Sequence, residues 1–164
     1  MKNQNSIENI IGDILFKNNI TISTAESCTG GMVAAKLISY PGISSVFLEG
    51  AVTYSNEAKI KRLGVKEETL SKYGAVSEQT AKEMAEGIAR ESLSNASIAT
   101  TGIAGPSGGT IEKPIGLVYI AIYLNGKTIV KKCNFSGDRN EVRTLATNYA
   151  INMMIKELKD NNYE

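Results

Sequence analysis

The sequence predicts an α/β protein, a three-layer α/β/α sandwich around a mixed, mostly parallel sheet of about five strands. Three observations carry that reading. Short runs rich in β-branched residues alternate with longer segments of helical periodicity along the chain. Asn125-Gly126 separates two apolar runs and marks an antiparallel hairpin, which makes the sheet mixed. No internal repeat, low-complexity tract or linker interrupts the 164 residues, so one domain over 1–164 is expected.

Residues 6–18 place Ile7, Ile10, Ile11, Ile14 and Leu15 at helical spacing, an amphipathic first helix. Residues 20–25 (ITISTA) alternate as a strand does, and ESCTGG follows before MVAAKLISY reads helical again. Pro41 and Gly42 stop that helix. Residues 46–54 form a second strand. Helices are expected around 56–63, 67–73 and 78–93, the last with Ala81, Met84, Ala85 and Ile88 on one face. SIATTG at 97–102 is a short strand running into the glycine-rich loop GIAGPSGG. IGLVYIAIY and KTIVKKCNF are the hairpin strands, and a helix over 139–159 closes the chain.

Composition narrows the function. Hydrophobic residues make up 42% and charged residues 21%, the balance of a soluble globular chain. Apolar runs fall far short of the roughly 20 residues that a bilayer span needs, so no membrane association is expected. The N-terminal MKNQNSIENIIGDILFKNN does not read as a signal peptide, and a cytosolic protein is the expectation. Net charge is +1, with 18 basic and 17 acidic residues intermixed and no Trp. A nucleic-acid binder would show a cationic face or an aromatic stacking platform, so nucleic acid is not an expected partner. Cys28 and Cys133 have no CxxC spacing, which excludes a cysteine zinc site.

The most informative count is zero. There is no histidine, so Ser-His-Asp, Cys-His and histidine-metal chemistry are all excluded. Acid–base work near neutrality would fall to Lys, Tyr, Asp or Glu.

In open α/β sheets, ligands sit beyond the carboxyl ends of parallel strands. Three such ends carry unusual residues here. AESCTGG (25–31) places Ser27 on a strand-to-helix turn, where first-turn amides are expected to be free and the helix dipole would favour an oxyanion. Thr29, Gly30 and Gly31 would line the substrate, the glycines permitting close approach to the backbone. An N-cap serine is the structural alternative for Ser27. Cys28 is a rival nucleophile, without an evident activator.

TYSNEAK (53–59) ends a strand at Tyr54 and opens a helix capped by Ser55 or Asn56, with Lys59 on its first or second turn. A lysine near a helix N-terminus meets an unfavourable dipole, and burial adds to the depression of its pKa. A neutral lysine amine can serve a serine hydroxyl as base; a solvated helix lysine is the alternative. GIAGPSGG (102–109) has the composition of a phosphate-cradling loop but the spacing of neither GxxxxGK[ST] nor GxGxxG. Gly102 and Gly105 belong to it, and Thr100 and Thr101 before it could turn a hydroxyl into the same cleft. Arg139, in GDRNEVR, could clamp a phosphate or carboxylate, or be an ordinary surface arginine.

AESCTGG, VTYSNEAK with LGV, GAVSE, GIAGPSGG followed by KPIGLVY, and GDR with VR occur in the order of the CinA C-terminal domain family, which the chain resembles over roughly residues 6–158. The active members of that family are nicotinamide-nucleotide amidases. The resemblance implies an α/β/α sandwich that hydrolyses nicotinamide mononucleotide to nicotinate mononucleotide and ammonia, in pyridine nucleotide recycling. It implies a serine–lysine pair at Ser27 and Lys59 with a tyrosine at Tyr54. It also matches Thr101 to the family's hydroxyl position and Arg139 to its arginine. No cofactor and no metal are expected. The family's N-terminal pyrophosphatase domain has no room in this chain. Expected partners are a small-molecule nucleotide and, as an open question, a second copy in a homodimer. The rival from a different class is a catalytically silent nucleotide-binding or protein-interaction module of the same fold.

Overall fold

A computed structural model describes residues 6–164; the first five residues of the polar N-terminal segment lie outside the described residues. Five strands form one sheet: β1 (Ile22–Glu26), β2 (Phe47–Val52), β3 (Ala96–Gly102), β4 (Leu117–Leu124) and β5 (Lys127–Asn134). Their spatial order is β2-β1-β3-β4-β5. β1 pairs in parallel with both β2 and β3, while β4 is antiparallel to β3 and to β5. Only β4 therefore runs against the others, and the mixed, mostly parallel sheet is as the sequence predicts.

The helices are α1 (Ile7–Lys17), α2 (Met32–Ile38), α3 (Asn56–Leu63), α4 (Glu67–Tyr73), α5 (Glu78–Ser92) and α6 (Arg139–Asp160). A short 3₁₀ turn at Ile43–Ser45, absent from the sequence reading, follows Gly42 in the left-handed region. Asn125 and Gly126 both have positive φ and close Leu124 onto Lys127, the two-residue hairpin that Asn-Gly favours.

The two faces of the sheet are built differently. On β4, Val118, Ile120, Ile122 and Leu124 join the cluster formed with α1, α2 and α6, including Ile11, Leu37, Ile151 and Met154. The alternate residues Tyr119, Ala121 and Tyr123 face the other cluster, where Ala81, Met84, Ala85 and Ile88 of α5 lie. Small residues let α5 come close. A Cβ at Gly87 would sit 2.1 Å from the Leu63 carbonyl oxygen, so α5 touches the end of α3 directly. Arg90 Nη2 donates to the same oxygen at 3.0 Å. α3 is thereby pressed onto the fold, which buries Lys59 to 1% exposure.

Two caps position the loops beyond the strand ends. Ser55 Oγ accepts from Ala58 N–H at 3.1 Å at the start of α3. At the start of α6 the Asp138 carboxylate accepts from the Asn140 and Glu141 amides, and Glu141 accepts from Asp138 N–H, a reciprocal capping box. Among the described residues no helix is long and apolar enough to cross a membrane.

Candidate active site

β1 ends at Glu26, and the chain turns through residues 27–31 before α2 starts at Met32. Ser27 N–H donates to Thr100 O of β3 at 2.9 Å, and Gly30 N–H closes the turn on Ser27 O at 3.1 Å. The N-cap of α2 is Gly31, in the left-handed region, with no side-chain cap. Ser27 is therefore not a helix cap, and its hydroxyl serves another partner.

That partner is Lys59. Its Nζ donates to Ser27 Oγ at 3.2 Å, to Thr53 O at 2.7 Å and to Tyr54 O at 3.2 Å. An ammonium fills all three directions with N–H. A neutral amine gives its two N–H groups to the carbonyls and presents its lone pair to the serine hydroxyl. The arrangement thus serves either protonation state, and in the neutral state it is a base aimed at Ser27. Burial pushes the Lys59 amine below its ordinary value, opposed to a smaller extent by the neighbouring Cys28. Lys59 forms no ion pair among the described residues. Glu26, the buried carboxylate beside Ser27, is committed elsewhere.

Glu26 changes one sequence expectation. Its Oε1 accepts from Thr29 Oγ1 at 2.6 Å and Val33 N–H at 2.8 Å, and its Oε2 accepts from Ala34 N–H at 3.0 Å. First-turn amides of α2, expected to be free for an oxyanion, are instead taken: those of Val33 and Ala34 by this carboxylate and that of Met32 by Thr29 O. The physical reason is satisfaction: a carboxylate at 1% exposure must find donors, and a helix N-terminus is a cluster of them. The amides of Cys28, Thr29 and Gly31 in the turn itself form no backbone hydrogen bond among the described residues.

The other predicted residues separate into two groups. Thr29 is fully buried, its hydroxyl held between Glu26 and Thr100 Oγ1, so its side chain braces the turn and does not line a cleft. Thr101 is 1% exposed and donates to Ala75 O at 2.7 Å, which ties β3 to the chain ahead of α5. Gly102 is packed against Leu117 and Val118, where a Cβ would lie 2.6 Å from Leu117 O. Arg139, Tyr54 and Gly105 form a second constellation. Arg139 Nη1 donates to Gly105 O at 2.8 Å and Nη2 to the Tyr54 hydroxyl at 3.2 Å. Tyr54 meets Lys59 through its carbonyl while its hydroxyl turns to Arg139. A cavity of about 460 Å³ adjoins Arg139, lined also by Ala104, Pro106, Ile115, Gly137 and Asp138. Cys28 is buried, and loss of solvent raises its thiol to about 11, so it stays protonated near neutrality.

A family model for the CinA C-terminal domain matches residues 4–158. The chain belongs to the CinA C-terminal domain family. Solved CinA superfamily structures share the fold: one from Klebsiella pneumoniae has a TM-score of 0.91 at 33% identity, covering 97% of this chain and 99% of that one. The competence/damage inducible protein CihA from Agrobacterium tumefaciens has a TM-score of 0.87 at 42% identity, covering 92% and 94%. A Clostridium botulinum relative, provisionally named as a competence-damage inducible protein, is 60% identical over 156 residues, covering 95% of this chain and 38% of its own length. The chain thus spans about two-fifths of the curated relatives it matches.

Sequence reasoning missed two members of the site. Arg143, four residues after Arg139 on α6, reaches back to the Ser27 turn: Nε donates to Cys28 O at 3.1 Å and Nη2 to Thr29 O at 3.2 Å. Glu26 was visible inside AESCTGG only as the residue before the serine. An acidic residue at the end of an otherwise uncharged, fully buried strand was the signal that could have found it.

Proposed function

We propose that this CinA-family domain is an amidohydrolase that deamidates nicotinamide mononucleotide to nicotinate mononucleotide and ammonia. The observation that carries the proposal is the direct contact at 3.2 Å of Ser27 Oγ with a buried Lys59 amine that has no ion-pair partner among the described residues. A serine–lysine pair is competent for acyl transfer without histidine. The nicotinamide nucleotide as substrate rests on the family resemblance, supported by the cavity beside Arg139, the glycine-rich loop and Tyr54.

In this reading, neutral Lys59 takes the Ser27 proton as Oγ attacks the carboxamide carbon. Amides of the 28–31 turn stabilise the oxyanion. Protonated Lys59 returns the proton to the departing nitrogen, the C–N bond breaks, and ammonia leaves an acyl-Ser27 ester. Water, deprotonated by Lys59, then attacks the ester carbon; the bond to Ser27 Oγ breaks and Lys59 returns the proton to that oxygen. Arg139 and the loop around Gly105 would hold the ribose phosphate, with Tyr54 between them and the dyad. The Tyr54 hydroxyl, joined to Arg139, belongs to binding in this scheme rather than to the proton path.

The test is ammonia release from nicotinamide mononucleotide, compared with nicotinamide riboside, free nicotinamide and glutamine. Release from the mononucleotide well above the other three supports the reading. Equal turnover of riboside and mononucleotide removes the phosphate from recognition. No release from any of them, by protein that binds the nucleotide, establishes the silent binding module instead.

A further inference from the structure

We infer that Arg143 is a positioning residue for the nucleophile turn: by holding the carbonyls of Cys28 and Thr29, it sets the orientation of the peptide units that carry Ser27 into the turn and lead on to its oxyanion-facing amides. The inference rests on the Ser27 acyl-transfer reading and deepens it.

The argument is one of peptide geometry. In a trans peptide unit the C=O and N–H point in opposite directions. The Cys28–Thr29 unit gives its oxygen to Arg143 Nε, and the Thr29–Gly30 unit gives its oxygen to Arg143 Nη2. Both N–H groups must therefore point away from Arg143. For Gly30 N–H the destination is known: it donates to Ser27 O at 3.1 Å. Thr29 N–H, oriented alike on the preceding unit, points to the same side and has no backbone acceptor among the described residues. The turn leaves through left-handed Gly30 and Gly31 at φ +58° and +97°, and partly exposed Gly31 has an amide with no backbone acceptor among the described residues, open to an anion.

The Met32 amide also donates to Thr29 O, at 3.2 Å, so Arg143 shares that carbonyl and holds the Cys28 carbonyl by itself. The Val33 and Ala34 amides of α2 are occupied by the Glu26 carboxylate, so the turn is gripped by opposite charges from two directions. Glu26 takes the helix amides and Arg143 takes the turn carbonyls. A guanidinium fork suits the second task because two of its N–H groups reach two successive carbonyls at once, which an ammonium matches poorly. The fit is close: a Cβ at Gly30 would stand 3.3 Å from Arg143 Nη2.

An oxyanion donor acts only in the transition state, so its misplacement lowers kcat and leaves ground-state binding alone. Arg143→Gln should lower kcat about 10- to 100-fold with KM within about twofold of wild type, somewhat less than outright loss of a donor. Arg143→Lys should recover part of the loss, and both should keep the wild-type pH profile because Ser27 and Lys59 are untouched.

The same variants are compared by a readout independent of the natural substrate, labelling by diisopropyl fluorophosphate followed by intact mass. There Ser27 Oγ bonds to phosphorus, fluoride leaves, and the serine proton passes to Lys59. Slower labelling of Arg143→Gln, at an unchanged thermal midpoint, supports the inference. Wild-type labelling at Ser27 without ammonia release would sink the substrate assignment while leaving this comparison intact. Wild-type kcat and labelling in Arg143→Gln would overturn the inference. So would a rise in KM at constant kcat, which would make Arg143 a substrate ligand. If Arg143→Gln does not fold, Arg143→Lys decides: full kcat and labelling in that variant also overturn it.

Discussion

The Ser27–Lys59 end of the site and the Gly105–Arg139 end are made of different material. Around the dyad the functional side chains are buried, Lys59 at 1%, Ser27 at 8% and Glu26 at 1%, and the Lys59 amine and Glu26 carboxylate have fixed partners. Around Arg139 the chain is open, with Tyr54 at 62% and Ile115 at 43%, and contacts run to one carbonyl and one hydroxyl. Burial makes the first region a place where charge is costly and geometry is preset, the conditions for a neutral lysine and an oxyanion site. Exposure makes the second a place where Arg139 can exchange its protein partners for a phosphate at little cost. Substitutions at the two ends should therefore fail in different ways, at the first in kcat and at the second in KM.

The largest effect is expected at Ser27. Ser27→Ala should lower kcat on the order of 10⁴- to 10⁶-fold while leaving the fold intact. Retained turnover, read as ammonia release, would move the chemistry away from the buried end altogether.

Lys59→Arg comes next, with a loss of about 10²- to 10⁴-fold, close to that of Lys59→Ala, since a guanidinium keeps its proton. Substantial activity in Lys59→Arg would show that the buried end works by charge alone. Wild-type activity should rise with pH through an ionisation below the ordinary 10.5 of lysine. The same depression is a stability effect. Between the folded and unfolded pKa values the unfolded chain binds the extra proton, so unfolding free energy should rise with pH across that window. The rise should be absent from Lys59→Met, and denaturant titrations of both proteins over the alkaline range measure it.

Arg139→Ala sharpens the contrast from the open end. Loss of a charge-assisted contact to phosphate is worth about 1.5–3 kcal/mol, a fall of roughly 10- to 150-fold in kcat/KM. It should appear chiefly in KM and shrink for nicotinamide riboside. An equal fall for both substrates, carried in kcat, would join Arg139 to the chemistry and dissolve the distinction.

Cys28→Ala should do least. The thiol is protonated near neutrality and packs as a small hydrophobe, so turnover should stay within about threefold of wild type. The cost should be about 1 kcal/mol of stability from lost packing, visible in the thermal midpoint. A dead Cys28→Ala beside an active Ser27→Ala would exchange the two nucleophile assignments.

The sequence by itself determined the elements. Every expected helix and strand is present within about two residues, because period, caps and turn residues are local: Asn125-Gly126 needs no distant partner to form a tight turn, nor Ser55 to cap α3. It also pointed to Ser27 at one strand end and Lys59 on the helix that follows another, since the absence of histidine left few bases for a serine. Only the tertiary structure decided how the side chains around them are spent. The order β2-β1-β3-β4-β5 follows from crossovers that no local pattern encodes. Arg143 meets Cys28 across 115 residues of chain, Arg139 meets Tyr54 across 85, and Thr101 meets Ala75 across 26. An arginine or a hydroxyl takes whatever acceptor packing brings within about 3 Å, and packing is a property of the closed sheet and its helices rather than of any segment.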